Sequence, residues 1–370
     1  MIEQFNLDNI LILQSLGYEV SVGTNFIDAG TISRDDAQKL KESLTLNNVK
    51  CYQIDFPRGS GTYKKNIKVI KQLKMLKEKN FDLLHCHSPI GSVLSRIVFK
   101  KTQTKIIYTA HGFHFYKGGP KKNWIFYYPI ERYFAKYTDL LLTINEDDTN
   151  IARKDFKVKV RKIPGVGIDF NKIQASLNKN NKERLREKLK ISADSKIMIS
   201  VGELNNNKNH IAGIEALNIM QDDALHYVIC GIGTQESYLR TKVSEYKLEN
   251  NVHFIGYTHN IEEYLSGSDF SLFLSKREGL GLAGLEAMAA GLPLISSNIG
   301  GIKDYTNNGE TGFTVDDPGD YEIIAKQINN LLNLENKQLK KISKNNQRIA
   351  GKYSSELVNK EMYEIYSEMF

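Results

Sequence analysis

Apolar residues open the chain at helical spacing. Ile2, Phe5, Leu7, Ile10, Leu11, Leu13 and Leu16 predict an amphipathic helix over residues 1–16, and Gly17 is suited to end it. The period then changes to two, because Tyr18-Glu19-Val20-Ser21-Val22 alternates as a strand does. Strand-like and helix-like stretches take turns from there. Residues 49–55, 81–86, 105–110, 139–143 and 158–163 read as strands, and 63–79, 90–99 and 146–153 as helices. The helix over 63–79 turns Ile67, Ile70, Leu73 and Leu76 inward beneath a lysine-rich face. A Lys/Asn-rich stretch at 178–190 reads as a connection leading into a helix, and a second series follows it. That series has strands at 196–201 and 225–230, apolar segments at 252–255, 261–265, 270–274 and 294–295, and helices at 321–332, 337–351 and 354–370. Alternation of this kind predicts an α/β fold of parallel sheets with helices on both faces, and ligands beyond the carboxyl ends of the strands.

Residues 275–301, SKREGLGLAGLEAMAAGLPLISSNIGG, concentrate the candidate chemistry. Two carboxylates, Glu278 and Glu286, flank Gly279-Leu280-Gly281; inside one helix that separation would be about 12 Å. The glycines instead put Glu278 on a loop and Glu286 in a helix that Gly291 ends. Such a pair suits two parts of one long polar ligand, since carboxylates accept hydrogen bonds from vicinal hydroxyls. A solvated loop glutamate and an ordinary helix glutamate are the plain alternative. Gly202, Gly231-Ile232-Gly233, Gly256 and Gly300-Gly301 follow strand-like segments, where backbone N–H groups can approach an anion.

His85-Cys86-His87, with His111 and His114, invites a metal reading. Alternation on a strand sends Cys86 to the face opposite both histidines, and no acidic ligand accompanies them, so core or cleft histidines are the preferred reading. No D-x-D pair occurs in the chain.

Composition narrows the class. At 370 residues the chain has length for two domains, and 41% hydrophobic with 25% charged residues is the balance of a folded globular protein. No apolar run reaches membrane-spanning length, and no signal peptide is evident after Met1. Cys51, Cys86 and Cys230 are scattered and read as reduced thiols of a cytoplasmic protein. Residues 61–122 hold fourteen Lys or Arg, Lys117 among them, against Glu78 and Asp82; this net of +12 leaves −5 for the remainder of a +7 chain. That asymmetry implies an anionic partner or a solvated helix face. Residues 113–132, FHFYKGGPKKNWIFYYPIER, mix aromatics with lysines, which suits a membrane interface. The same mixture suits single-stranded nucleic acid, but no nucleic-acid module accompanies it, so no nucleic-acid partner is expected; packing of this helix within the first domain is the plain alternative.

E-x7-E, followed by A-M-A-x-G-x-P and a trailing G-G, resembles the retaining nucleotide-sugar-dependent glycosyltransferases of family 4. The resemblance implies the GT-B fold, two Rossmann-like domains facing across a cleft. It places an acceptor-side domain over 1–172, a nucleotide-sugar domain over 173–352 and a terminal helix over 353–370 that crosses back. Residues 164–169, PGVGID, resemble the segment closing the family's first domain. By resemblance, Glu286 holds the ribose hydroxyls, and Glu278 with Gly279, Leu280 and Gly281 positions the donor sugar. Lys208 and the backbone at Gly202 and Gly301 face the diphosphate, while Tyr257 lies against the base. Glu203 stands where many members carry arginine. His111, in T-A-H-G, takes a catalytic place with Glu278, and His87 and His114 lie at the acceptor rim.

The family's first strand and Gly-rich loop precede its first helix, whereas this chain opens in the helix. A missing first strand is therefore expected, from a misassigned start or a short form. The implied reaction is hexosyl transfer from a nucleotide diphosphate donor, a UDP-sugar, to an acceptor hydroxyl with the anomeric configuration kept. No metal or other cofactor is expected. The implied acceptor is a polyprenyl- or lipid-linked glycan of capsule or exopolysaccharide synthesis. The enzyme would work in the cytoplasm, peripheral to the membrane's inner face, with the basic domain toward anionic lipid. A sugar-nucleotide epimerase or hydrolase on the same fold and a non-catalytic nucleotide-sugar binder are the alternatives.

Overall fold

The computed structural model describes residues 2–28, 32–57, 59–116, 118–178 and 180–369. Lys117 of the basic run, Met1 and Phe370 lie outside them. The chain divides into two compact units, Met1–Val166 with Val358–Phe370, and Gly167–Leu357. The expected division lay at 172/173 and 352/353, so both boundaries fall five or six residues away. A local clasp accounts for the difference within the second unit. The Ile168 N–H donates to the Tyr353 carbonyl and the Ser355 N–H to the Ile168 carbonyl, both at 2.9 Å. Gly167 has φ +81, and a Cβ there would sit 2.5 Å from the Ser355 Cα.

The first unit runs α1 (Ile2–Phe5), α2 (Leu7–Ser15), β1 (Ser21–Thr24), α3 (Arg34–Leu46), β2 (Lys50–Gln53), α4 (Tyr63–Lys77) and β3 (Leu83–Cys86). It continues through α5 (Pro89–Phe99), β4 (Lys105–Ala110), α6 (Lys121–Ala135), β5 (Leu140–Thr143), α7 (Glu146–Asp155) and β6 (Lys159–Lys162). The single helix expected over 1–16 is two, broken at Asn6. The strands are parallel but fall in two sheets, β1-β2 and β3-β4-β5-β6, and among the described residues no strand joins β1 to β3. Helices bridge the two instead. Ile54, just past β2, shares one apolar cluster with Val69 and Leu73 of α4, Leu94, Val98 and Phe99 of α5, and Ile106 of β4. Strand β5, LLLT, is buried throughout, as a strand covered on both faces should be. At the start of α7, the Asn145 side chain accepts from the Asp148 N–H at 2.8 Å, and Glu146, Asp147 and Asp148 complement the helix dipole.

The second unit contains α8 (Phe170–Ser176), α9 (Asn181–Leu189), β7 (Lys196–Val201), α10 (Ile211–Met220), β8 (Leu225–Cys230), α11 (Glu236–Glu245), β9 (Val252–Gly256) and α12 (Ile261–Gly267). It goes on with β10 (Phe270–Phe273), α13 (Leu282–Ala289), β11 (Leu294–Ser297), a 3-10 turn (Gly300–Asp304), β12 (Gly312–Val315), α14 (Tyr321–Leu332) and α15 (Asn336–Ala350). A 3-10 turn, Gly351–Tyr353, leads to α16 (Ser355–Ser367), whose residues from Val358 onward belong to the first unit. All six strands are parallel in the order β12-β11-β10-β7-β8-β9. This is a doubly wound sheet: the order reverses at β7, and the crevice beyond its carboxyl end is where such folds bind ligands.

Candidate functional site

In the second unit, the carboxyl ends of β7 and β10 bring the candidate donor residues together. Gly202 follows β7 with φ +154, and a Cβ there would press on the Lys208 stem at 3.3 Å. Glycine thus leaves the lysine its path across the turn. Asparagines then fix that turn. Asn205 Oδ1 accepts the Lys208 N–H at 2.9 Å, Asn207 Nδ2 donates to the Arg277 carbonyl at 2.9 Å, and Asn209 Nδ2 donates to the Leu274 carbonyl at 3.1 Å. The turn is therefore stitched to the segment after β10, and Lys208 Nζ reaches Glu278 Oε1 at 2.5 Å. Both groups are largely buried, at 24% and 12% side-chain exposure.

Close backbone approaches shape the surroundings of Glu278. A Cβ on Gly300 would lie 2.3 Å from the Glu278 carbonyl oxygen, and one on Gly301 would lie 2.1 Å from that of Gly279. Only glycine fits at either position. The Gly301 N–H donates to the Glu278 carbonyl at 3.3 Å, so its first partner is the glutamate loop. Gly281, at φ +88, packs its backbone on Phe273, and Tyr305 Oη donates to its carbonyl at 3.0 Å. Leu280 is buried beneath this turn.

Glu286 sits half-buried inside α13. Burial raises its carboxyl above the ordinary value and the Glu262 carboxylate adds to this, while Lys208 and Lys172 pull it back. Glu262, on α12, is buried and ion-paired with Lys172 of α8, but its Oε2 is buried without a hydrogen-bond partner. Tyr257, just past β9, is 67% exposed, its ring edge-on to His259 at 4.9 Å.

In the first unit, His85 and His87 lie on one face of the β3 end with ring centroids 4.1 Å apart, and Cys86 joins the opposite core with Tyr108 and Phe113. His85 is pinned between Tyr366 Oη and Thr109 Oγ1, both at 2.8 Å. His87 Nδ1 meets His111 Nε2 at 3.3 Å, and Phe5 of α1 stacks on His111 at 5.5 Å. Burial pushes His85 down to about 3 and His111 to about 4, and His87 is also held well below its ordinary value. These imidazoles are neutral at pH 7. His87 and His111 wall a cavity of about 20 Å³ with Phe5, Asp8 and Asn359, room for one water-sized group. His114 instead packs against Tyr127 of α6, with centroids 4.7 Å apart.

Two family models match the chain. Glycosyl transferases group 1 covers residues 181–349, and Glycosyl transferase 4-like covers residues 27–145. The chain is 35% identical over 310 residues to the putative glycosyltransferase EpsD of Bacillus subtilis, spanning 82% of this chain and 81% of that protein. This chain belongs to the GT-B glycosyltransferases. A second relative of the glycosyltransferase is the Escherichia coli UDP-Gal:alpha-D-GlcNAc-diphosphoundecaprenol alpha-1,3-galactosyltransferase, 30% identical over 270 residues and 68% of each chain. The fold matches the crystal structure of Anabaena HepE in complex with UDP, with a TM-score of 0.76 at 18% identity over 98% of this chain and 96% of that one.

Of the residues singled out in the sequence, Gly202, Lys208, Glu278, Gly279, Leu280, Gly281 and Gly301 form one connected set in the glycosyltransferase's second unit. Glu286 is electrostatically linked to that set through Lys208. His87 and His111 form a separate pair in the first unit. Lys172, Glu262 and Tyr305 were not legible as site residues, because only tertiary packing brings α8, α12 and the Gly300–Asp304 turn to the two glutamates. The asparagine run 205–209 did carry a local signal, side chains able to tie down a turn.

Proposed function

We propose that this glycosyltransferase is a retaining, metal-independent hexosyltransferase that moves a sugar from a UDP-sugar to a hydroxyl of a lipid-linked glycan. The observation carrying the proposal is the Lys208–Glu278 pair, set against the Gly279–Gly281 turn at the carboxyl ends of β7 and β10. Lys208 supplies the positive charge a departing diphosphate needs. Glu278 then accepts hydroxyls of the donor sugar, and Glu286 those of the ribose. In this reading the acceptor oxygen forms its bond to the anomeric carbon on the face from which the phosphate leaves. The bond to the leaving oxygen breaks, and the acceptor proton passes to that phosphate.

The acceptor assignment draws on two supports. The E. coli relative's name specifies a diphosphoundecaprenol acceptor. The basic run over 61–122 supports a reading in which the enzyme meets an anionic lipid phosphate and an anionic membrane surface, working at the inner face of the membrane in capsule or exopolysaccharide assembly. The test is transfer from a panel of nucleotide sugars to undecaprenyl-diphosphate-linked sugars in EDTA, with the product's anomeric configuration read by NMR. Acceptor-dependent release of UDP and a product with the donor's configuration are expected. Consumption of donor without acceptor, inversion, or activity that EDTA abolishes would overturn the reading.

A further inference from the structure

Helix α6 carries two apolar faces, and among the described residues only one has a partner. On the inner face, Trp124 and Tyr128 pack into the cluster of Phe113, Phe115 and Phe156. The Trp124 Nε1–H also donates to the Tyr116 carbonyl at 3.1 Å. Glu131, the helix's single carboxylate, is buried against Arg96 at 2.9 Å and accepts from Tyr108 Oη at 3.1 Å. Trp124 and Tyr128 thus pack within the first unit, and the interface expected of the run over 113–132 falls to the outer face of the helix.

The outer face holds Ile125, Phe126, Ile130 and Tyr133, exposed by 68%, 65%, 42% and 51%. At 100° per residue these four fall within an arc of about 140°. Among the described residues no other element exposes more than two large hydrophobic side chains. Exposed cations sit at both ends and along one side: Lys121, Lys122, Arg132 and Lys136. The Lys136 ammonium lies 3.9 Å from the Tyr133 ring centroid, which keeps a charge directly beside the apolar stripe. With Glu131 turned inward, the helix presents no carboxylate to solvent.

An apolar stripe edged by cations and free of acids has the charge and shape of a helix lying at the boundary between headgroups and acyl chains. The helix is about 22 Å long, and a continuous anionic surface answers its four cations along that whole length. We infer that this face of α6 is a membrane seat. Ile125, Phe126, Ile130 and Tyr133 enter the acyl boundary, and Lys121, Lys122, Arg132 and Lys136 engage anionic headgroups. The inference rests on the lipid-linked acceptor reading and supplies its docking surface.

The test is vesicle flotation with phosphatidylcholine alone and with phosphatidylglycerol added. The wild type should float only with the anionic vesicles. Phe126→Ser combined with Ile130→Ser should weaken partitioning at least about tenfold, while the melting temperature and UDP binding stay as in the wild type. Ile125→Trp should add a fluorescence component that shifts to the blue only with anionic vesicles. Equal flotation of wild type and the double variant would overturn the inference. So would self-association in sedimentation velocity that the double variant abolishes without any vesicle binding, since the stripe would then join two copies. A failed donor assignment reads out separately, as absent nucleotide-sugar binding in preparations whose flotation still depends on the stripe.

Discussion

The Lys208–Glu278 contact ties up two groups that the proposed donor needs, and replacing Glu278 by Gln should strengthen binding of the bare nucleoside diphosphate. Lys208 Nζ donates to Glu278 Oε1 at 2.5 Å, with the two side chains 24% and 12% exposed. An arriving diphosphate has to draw the ammonium from this carboxylate and tolerate the carboxylate's charge nearby. A hydrogen bond to a charged group contributes about 1.5–3 kcal/mol net, and residual solvent access puts this one toward the lower figure. Glu278→Gln keeps the shape and removes the competing charge, so the Kd for UDP should fall roughly tenfold, the equivalent of about 1.4 kcal/mol. Turnover of the UDP-sugar should drop, because the amide is a poorer acceptor for the sugar hydroxyls. Isothermal titration with UDP measures the first effect, and Lys208→Met isolates it, since Glu278→Gln should bring no gain in that background. Equal or weaker UDP binding by Glu278→Gln would refute the competition.

Three further predictions concern charges held in the interior. The raised carboxyl of Glu286 binds its proton more readily folded than unfolded, so its ionised form lowers stability above that pKa. Glu286→Gln should raise the Tm of the donor-free protein at pH 7, lose that advantage below the ordinary value of 4.5, and weaken donor binding; an unchanged or lower Tm at pH 7 contradicts this. The buried imidazoles act in the opposite sense along the pH axis. His85 at about 3 and His111 at about 4 take up protons less readily folded than unfolded, so stability is lost as pH falls below 6.5. By pH 4 the His85 contribution amounts to roughly 3 kcal/mol, and His85→Gln should flatten the Tm profile between pH 6.5 and 4. Glu131→Ala strands the Arg96 guanidinium, only 1% exposed, and should cost about 3–5 kcal/mol in urea unfolding; a loss under about 1 kcal/mol would mark the pair as dispensable.

What could be read from the chain follows its apolar runs. Residues 105–110, 196–201, 225–230 and 321–332 were expected as elements, and Lys105–Ala110, Lys196–Val201, Leu225–Cys230 and Tyr321–Leu332 have those bounds. Uninterrupted β-branched or amphipathic stretches leave little choice there. Helix α3 was not anticipated, because only Ala37 and Leu44 of RDDAQKLKESLTL are buried and polar residues dominate the segment. Helices α10 and α11 were missed as well, and strand β12, GFTV, opens on a glycine that reads as a turn. The split sheet of the first unit could not be foreseen from periodicity, which reports that strands exist and not which ones pair.

The candidate site was legible in part for the same reason. Glu278, Glu286 and the glycines at 279, 281, 300 and 301 stand in one short segment, where spacing alone separates loop from helix. The Lys208–Glu278 contact links positions seventy residues apart. Lys172 and Glu262 bear on Glu286 from two other helices, and local sequence carries no trace of them. On α6, the composition of the aromatic-basic run was plain, but which aromatics face inward is decided by tertiary packing on Phe113, Phe115 and Phe156.

The most direct test of the central claim is saturable binding of a nucleotide-sugar panel in EDTA by titration calorimetry, comparing the wild type with Glu286→Ala. Selective binding of a UDP-sugar by the wild type, lost in Glu286→Ala while the variant still folds, is the predicted result. Absence of binding across the panel, or binding that Glu286→Ala leaves unchanged, would contradict the assignment of the donor site.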